Sequence, residues 1–282
     1  MGTARRKGGR SKRSRRIRRR RIRLIVVGTL WGLIAICIAV AIVILYGVFF
    51  RKDKVVYVSG NKSSNADYEI INNEELDNFR KLYQKGGAGD MNGYTVCLDA
   101  GHGGSDVGAE RGNGNYEKSE TLKLTKMIKQ YLEAVGINVV MTREKDEYVS
   151  LEERKNIAEN CNADLLLSIH RNVYEGYEEV SGIEAWINNS RKQSDTDMAE
   201  SIINGILNYE PSLNNRGVKW GTMDNQNENY IVNKASMTSL ILEVGFMTSD
   251  TDNYYFDNKL KEMAKGIVEG ILVNIGYTKK TL

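Results

Sequence analysis

From Tyr94 onward, short apolar runs alternate with longer stretches whose apolar residues recur every three to four positions. Tyr94 to Leu98 reads as a buried strand. Glu117 to Ala134 reads as a helix, with Leu122, Leu124, Met127, Ile128, Tyr131 and Leu132 on a helical period and Gly136 as its stop. Ile137 to Met141 is a strand. Ser150 caps a helix from Leu151 to about Asn160, with Glu153 completing a capping box. Strands follow at Leu165–Ile169 and Ile183–Ile187, a helix at Asp197–Leu207, strands at Tyr230–Val232 and Ser239–Leu242, and a last helix from about Lys259 to Ile275. Strands and helices taken in turn predict an α/β domain with a mostly parallel central sheet flanked by helices.

Upstream the pattern changes. Residues 51–92 read as a stalk, with a polar, turn-rich stretch at Gly60–Asn65, a short helix near Glu74 to Gln84, and a break at Gly86-Gly87-Ala88-Gly89. Leu24 to Phe50 is uncharged for 27 residues, longer than the roughly 20 apolar residues that cross a bilayer. The predicted organisation is a basic cytoplasmic tail (1–23), a transmembrane anchor (24–50), a stalk (51–92) and a catalytic domain (93–278).

Charge supports this division. Of the 40 Lys and Arg, 13 lie in residues 1–23, which hold no acid; beyond the apolar run 27 bases face 36 acids. The domain is therefore acidic, and the basic tail abuts an apolar span instead of forming a nucleic-acid-binding surface. Bases before the span predict a cytoplasmic N-terminus and an extracytoplasmic domain, held in the cell membrane by a single uncleaved pass. Arg6 stands where N-myristoylation needs Ser or Thr. Cys97 and Cys161, the two cysteines outside the span, read as small buried hydrophobes, not as a disulfide.

The whole chain has two histidines, and both follow or close a predicted strand: His102 in Asp99-Ala100-Gly101-His102-Gly103-Gly104, and His170 in Leu166-Leu167-Ser168-Ile169-His170. Parallel strands present their C-terminal ends at one edge of a sheet, where ligands of open α/β folds bind. Two histidines and a glutamate form a known catalytic zinc set that leaves a position open for water. Glu117, at the start of a helix, and Glu243, closing Leu240-Ile241-Leu242, are the two available carboxylates; one would complete the metal shell and the other would act as base.

The stretch Val96–Gly104 resembles the opening motif of the zinc-dependent N-acetylmuramoyl-L-alanine amidases, the type 3 cell-wall amidase family. The resemblance continues in order through Glu117-Lys118, Thr142-Arg143, Ser150–Arg154, Ser168–Asn172, Asn215–Lys219 and Leu242–Phe246, and covers roughly residues 94 to 275. It implies one zinc ion per chain bound by His102, Glu117 and His170, with Glu243 in catalysis. It also implies hydrolysis of the amide between N-acetylmuramic acid and L-alanine in peptidoglycan. Counting back from Glu133 puts the family's glutamate at Glu117 and not at Glu120. Asn172 and Arg216 become possible substrate contacts, while Arg143 and Arg154 read as structural ion-pair partners. The sequence departs from the family at Asn233, often arginine, and Thr238, often proline, both on the approach to Glu243. About 40 residues separate Ile187 from Tyr230, so no inserted autoinhibitory helix is expected. Two other functions fit the same residues: a non-catalytic peptidoglycan binder, and a zinc peptidase acting within the stem peptide.

Overall fold

The computed structural model describes residues 71–85, 93–112, 114–176, 179–221 and 229–280. The basic tail, the proposed span and residues 51–70 of the expected stalk lie outside the described residues. Among the described residues no helix is long and apolar enough to cross a membrane.

In chain order the elements are α1 (Asn73–Leu82), β1 (Tyr83–Lys85), β2 (Thr95–Ala100), α2 (Glu117–Ala134), β3 (Asn138–Met141), α3 (Leu151–Asn160), β4 (Leu165–Asn172), β5 (Ile183–Ile187), α4 (Gln193–Tyr209), β6 (Asn215–Trp220), α5 (Asn229–Lys234), β7 (Thr238–Phe246), α6 (Asp250–Asn258), α7 (Leu260–Asn274) and β8 (Tyr277–Lys279). Six strands form one sheet in the order β3-β2-β4-β7-β5-β6. All neighbouring pairs run parallel except β5 with β7. The sheet is thus mixed, with a single antiparallel junction in an otherwise parallel arrangement.

Side chains alternate between the two faces of each strand. One face carries Val96, Leu98, Leu165, Leu167, Ile169, Ile183, Ala185, Leu240, Leu242 and Val244, and packs with residues of α2, α4 and α7 into the main core. The opposite face carries Cys97, Leu166 and Ile241, covered by Ala158 at α3 and by Ile231 and Val232 of α5. Towards the C-terminal ends of β4 and β7 and the N-terminal end of antiparallel β5 this second face turns polar, and Glu243 is the register partner of both His170 and Glu184.

Two expectations need correction. Tyr230–Val232 lies within α5 and is not a strand: Ile231 and Val232 bury against Ile241 from outside the sheet. A three-residue apolar run cannot by itself distinguish the two states. Residues 71–85, expected in the stalk, pack onto the domain. Ile71, Phe79 and Tyr83 are buried in the main core, the Phe79 ring lies 4.7 Å from that of Tyr131, and β1 pairs antiparallel with β8. Asn72 caps α1 by accepting from the Glu75 amide at 2.8 Å. The capping box of α3 forms as expected, with Ser150 and Glu153 exchanging hydrogen bonds.

Candidate metal centre

Strand β2 ends at Ala100, and the chain turns immediately into Gly101-His102. His102 has φ of 60°, a left-handed backbone that costs a non-glycine residue energy unless its surroundings hold it. They do so through its neighbours' carbonyls. Arg154 Nη2 donates to His102 O at 2.7 Å and its Nη1 to Ala100 O at 2.7 Å. Arg143 Nε donates to Ala100 O at 2.9 Å and Nη2 to Gly101 O at 2.8 Å. Arg154 also pairs with buried Asp99 at 2.6 Å, and Asp99 accepts from Thr142 and Ser168 as well. Burial raises the Asp99 carboxyl, but the Arg154 charge and the two hydroxyls outweigh it and hold it below the usual range. Arg154 is therefore the ion-pair partner expected from the sequence. Arg143 is not: it binds main-chain oxygens, and burial followed by the Arg154 charge lowers it to about 10.

His170 lies within β4, which runs on to Asn172. Its ring packs on Gly101, where an added Cβ would meet it at 2.4 Å. Glu117 opens α2, where a carboxylate also suits the helix dipole. One donor atom each from His102, Glu117 and His170 lies within 4.8 Å of the others. Glu117 Oε2 is 3.1 Å from His102 Nε2, and Glu117 Oε1 is 3.2 Å from His170 Nδ1. Backbone amides fix the carboxylate further: Ala109 N donates to Oε2 at 3.0 Å and Arg171 N to Oε1 at 2.9 Å. Burial pushes the Glu117 carboxyl up, but the two imidazoles more than compensate and hold it far below the ordinary range. Burial likewise lowers His102, and Glu117 reverses this to a net rise.

The donor set fits a zinc ion. Ligand bonds of about 2.0–2.2 Å in a tetrahedron put donor atoms roughly 3.3–3.6 Å apart, close to the carboxylate–imidazole spacings here. His102 Nδ1 sits 3.0 Å from Asp106 Oδ2. That contact orients the ring and leaves Nε2 on the side of Glu117, as a carboxylate behind a ligating histidine does. Sequence reasoning missed Asp106; its spacing of four from His102 was the available signal. Glu120, the rival to Glu117, points elsewhere. It pairs with Arg111 at 2.5 Å and with buried Arg171, and so ties the loop after His102 to the sheet.

Glu243 is half-buried within β7, which extends to Phe246 and not merely to Leu242 as expected. As the register partner of His170, it faces the same side of the sheet one strand away, about 4.8 Å between backbones. The next strand brings Glu184, another residue the sequence reading missed, although it is the lone charge in the apolar run Ile183–Ile187. Asn172 and Arg216 both turn to Glu184: Asn172 Nδ2 donates to Oε1 at 2.9 Å and Arg216 Nε to Oε2 at 2.7 Å.

A family model described as N-acetylmuramoyl-L-alanine amidase matches residues 96–273. The chain belongs to this family. Among N-acetylmuramoyl-L-alanine amidase relatives of known structure, AmiC2 of Nostoc punctiforme is 34% identical with a TM-score of 0.58, over 66% of this chain and 98% of that one. The N-acetylmuramoyl-L-alanine amidase from Clostridium difficile 630 is 32% identical with a TM-score of 0.60, over 65% and 97%. YqiI of Bacillus subtilis (strain 168) is 34% identical over 183 residues, spanning 64% of this chain and 84% of that protein. The matched amidase segment begins inside β2, so α1 and β1 lie upstream of it.

Proposed function

We propose that this protein is a zinc-dependent N-acetylmuramoyl-L-alanine amidase that cleaves peptidoglycan between N-acetylmuramic acid and L-alanine. The observation that carries this reading is the convergence of His102, Glu117 and His170 at one point of the sheet edge, in a chain of the amidase family. These three residues would hold one zinc ion. When bound, zinc supplies Lewis acidity, polarising the amide carbonyl and making water acidic enough to attack near neutral pH.

The protein's own groups do the rest. Glu243, on the strand beside His170, is the general base. It takes a proton from the attacking water and returns one to the departing L-alanine nitrogen, which as an amide leaving group cannot depart unprotonated. Asp106 holds the His102 ring in the tautomer that keeps Nε2 available. Arg143 and Arg154 hold the strained turn that carries His102. The test is a paired measurement on the full chain: zinc content by atomic emission and peptidoglycan hydrolysis, for wild type, Glu117→Gln and Glu243→Gln. Glu117→Gln loses zinc and activity together; Glu243→Gln keeps zinc and loses activity by about 100-fold or more. Full activity in Glu243→Gln would overturn its role as base.

We also infer that residues 24–50 anchor the enzyme in the cell membrane, with the N-terminus cytoplasmic and the domain outside, where peptidoglycan lies. The basic block followed by 27 uncharged residues supports this. Alkaline extraction is expected to leave the full chain in the membrane pellet and to release a chain lacking residues 24–50. Release of both would contradict the anchor.

A further inference from the structure

The polar row on the sheet does not stop at Glu243. Across three neighbouring strands it runs His170 on β4, Glu243 on β7 and Glu184 on β5; on β6 beyond, where the register shifts, Arg216 and Lys219 both reach Glu184. Glu184 is buried, at 2% side-chain exposure, and accepts four hydrogen bonds: from Asn172 Nδ2 at 2.9 Å, Trp186 Nε1 at 3.0 Å, Arg216 Nε at 2.7 Å and Lys219 Nζ at 2.5 Å. Burial raises its carboxyl, and these donors more than offset that, so Glu184 is ionised.

Two cations thus share one oxygen of one buried anion. Both face outwards: Arg216 and Lys219 are 28% and 32% exposed, above a carboxylate that solvent scarcely reaches. Arg216 also stacks on Phe246, with its guanidinium carbon 4.9 Å from the ring centroid. Only its Nε is engaged by Glu184; among the described residues its Nη groups meet no acceptor. A fixed guanidinium with a free edge beside an ammonium is a receptor for a carboxylate. Three strand spacings separate Arg216 from His170, about 14 Å, which an extended peptide of roughly four residues covers.

We propose that Arg216 and Lys219, held side by side by buried Glu184, form a subsite for a carboxylate of the substrate's peptide arm, so that the enzyme selects anionic stem peptides over amidated ones. Glu184 is the positioning residue of this subsite. The proposal rests on the amidase reading of the adjacent centre. It also fixes the direction in which substrate lies, with the peptide extending from the metal ligands towards β6.

The test compares a synthetic muramoyl tetrapeptide with free carboxylates against its fully amidated counterpart, using the zinc-loaded full chain. Wild type is expected to favour the acid form by at least about tenfold in kcat/KM, mostly through KM, as loss of a charge-assisted bond implies. The double variant Arg216→Gln, Lys219→Gln is expected to bring that ratio close to one, whatever its absolute rate, and Arg216→Lys with Lys219→Arg to restore it. Equal use of both substrates by wild type, or an unchanged ratio in the double variant, overturns the subsite. If neither substrate is cut, the activity reading fails instead. Calorimetric titration of the free tetrapeptide and its amide then still decides: acid-selective binding abolished in the double variant supports the subsite, and binding without selectivity overturns it.

Discussion

At the scale of single residues, the grouping of His102, Glu117 and His170 depends on residues packed behind it. Asp106 sits behind His102 at 3.0 Å; replacing it with alanine is expected to weaken zinc binding about 10–100-fold, read by competition with a chromogenic chelator. Gly108 lies so close to the site that an added Cβ would meet His102 Cδ2 at 2.6 Å and Glu117 Oε2 at 2.7 Å. Gly108→Ala is therefore expected to lose zinc while keeping the fold, visible as reduced metal content with an unchanged circular dichroism spectrum. The three residues that the structure brings together were legible in the sequence, for an unusual reason: there are two histidines in all, so the choice of imidazole candidates was nearly forced. Choosing Glu117 over Glu120 needed the family pattern, because one helical turn separates them and only the structure shows Glu120 committed to Arg111 and Arg171. The link of Glu184 to Arg216 and Lys219 lies in what the side chains touch, and contacts across 32 or 35 positions leave no local trace.

At the scale of elements, hydrophobic period was a good guide where one face is buried and a poor one elsewhere. Helix α2 and strand β5 lie where the period puts them. Strand β6, Asn-Arg-Gly-Val-Lys-Trp, is an edge strand with no fully buried residue, so it has neither an apolar run nor alternation to betray it. Helix α6 is mostly polar and is set by the Ser249 cap and buried Asp252 and Phe256. The β1–β8 ribbon depends on partners nearly 200 residues apart. It is secured by Glu269 of α7, which accepts from Tyr83 at 2.7 Å, Lys279 at 2.6 Å and Asn208 at 3.0 Å. Burial raises the Glu269 carboxyl, and Lys279, Tyr83 and Asn208 more than reverse this to a net lowering. The folded state thus binds this proton less readily than the unfolded chain. Its stabilisation is complete above the ordinary carboxylate value of about 4.3 and is lost as pH falls through the depressed folded value. Denaturant unfolding of wild type and Glu269→Gln is expected to differ at pH 7, with the gap shrinking below about pH 4.3 and closing as pH falls through the depressed folded value; a gap that persists in strong acid would assign it to packing. Phe79→Ala, at the centre of the α1 contact, is expected to cost about 3–5 kcal/mol. That loss would show that residues upstream of the amidase segment belong to the folded domain.

At the scale of the whole molecule, charge, fold and site agree on one arrangement. The acidic domain carries a polar row across a mixed sheet: His170, grouped with His102 and Glu117, then Glu243, then Glu184 with its two cations. The basic tail and uncharged run precede it in sequence; the anchor proposed above would keep it at the membrane surface. The same scaffold could in principle cut at a bond further along the stem peptide, and the identity of the released amino terminus separates the two chemistries. The most direct measurement is therefore to digest purified peptidoglycan with the zinc-loaded full chain and label the newly exposed amino groups. New L-alanine amino termini, matched by unsubstituted muramic acid lactyl carboxylates and missing in the Glu243→Gln digest, are the predicted result. New termini at any other stem residue, or none from a zinc-loaded protein, would contradict the amidase assignment.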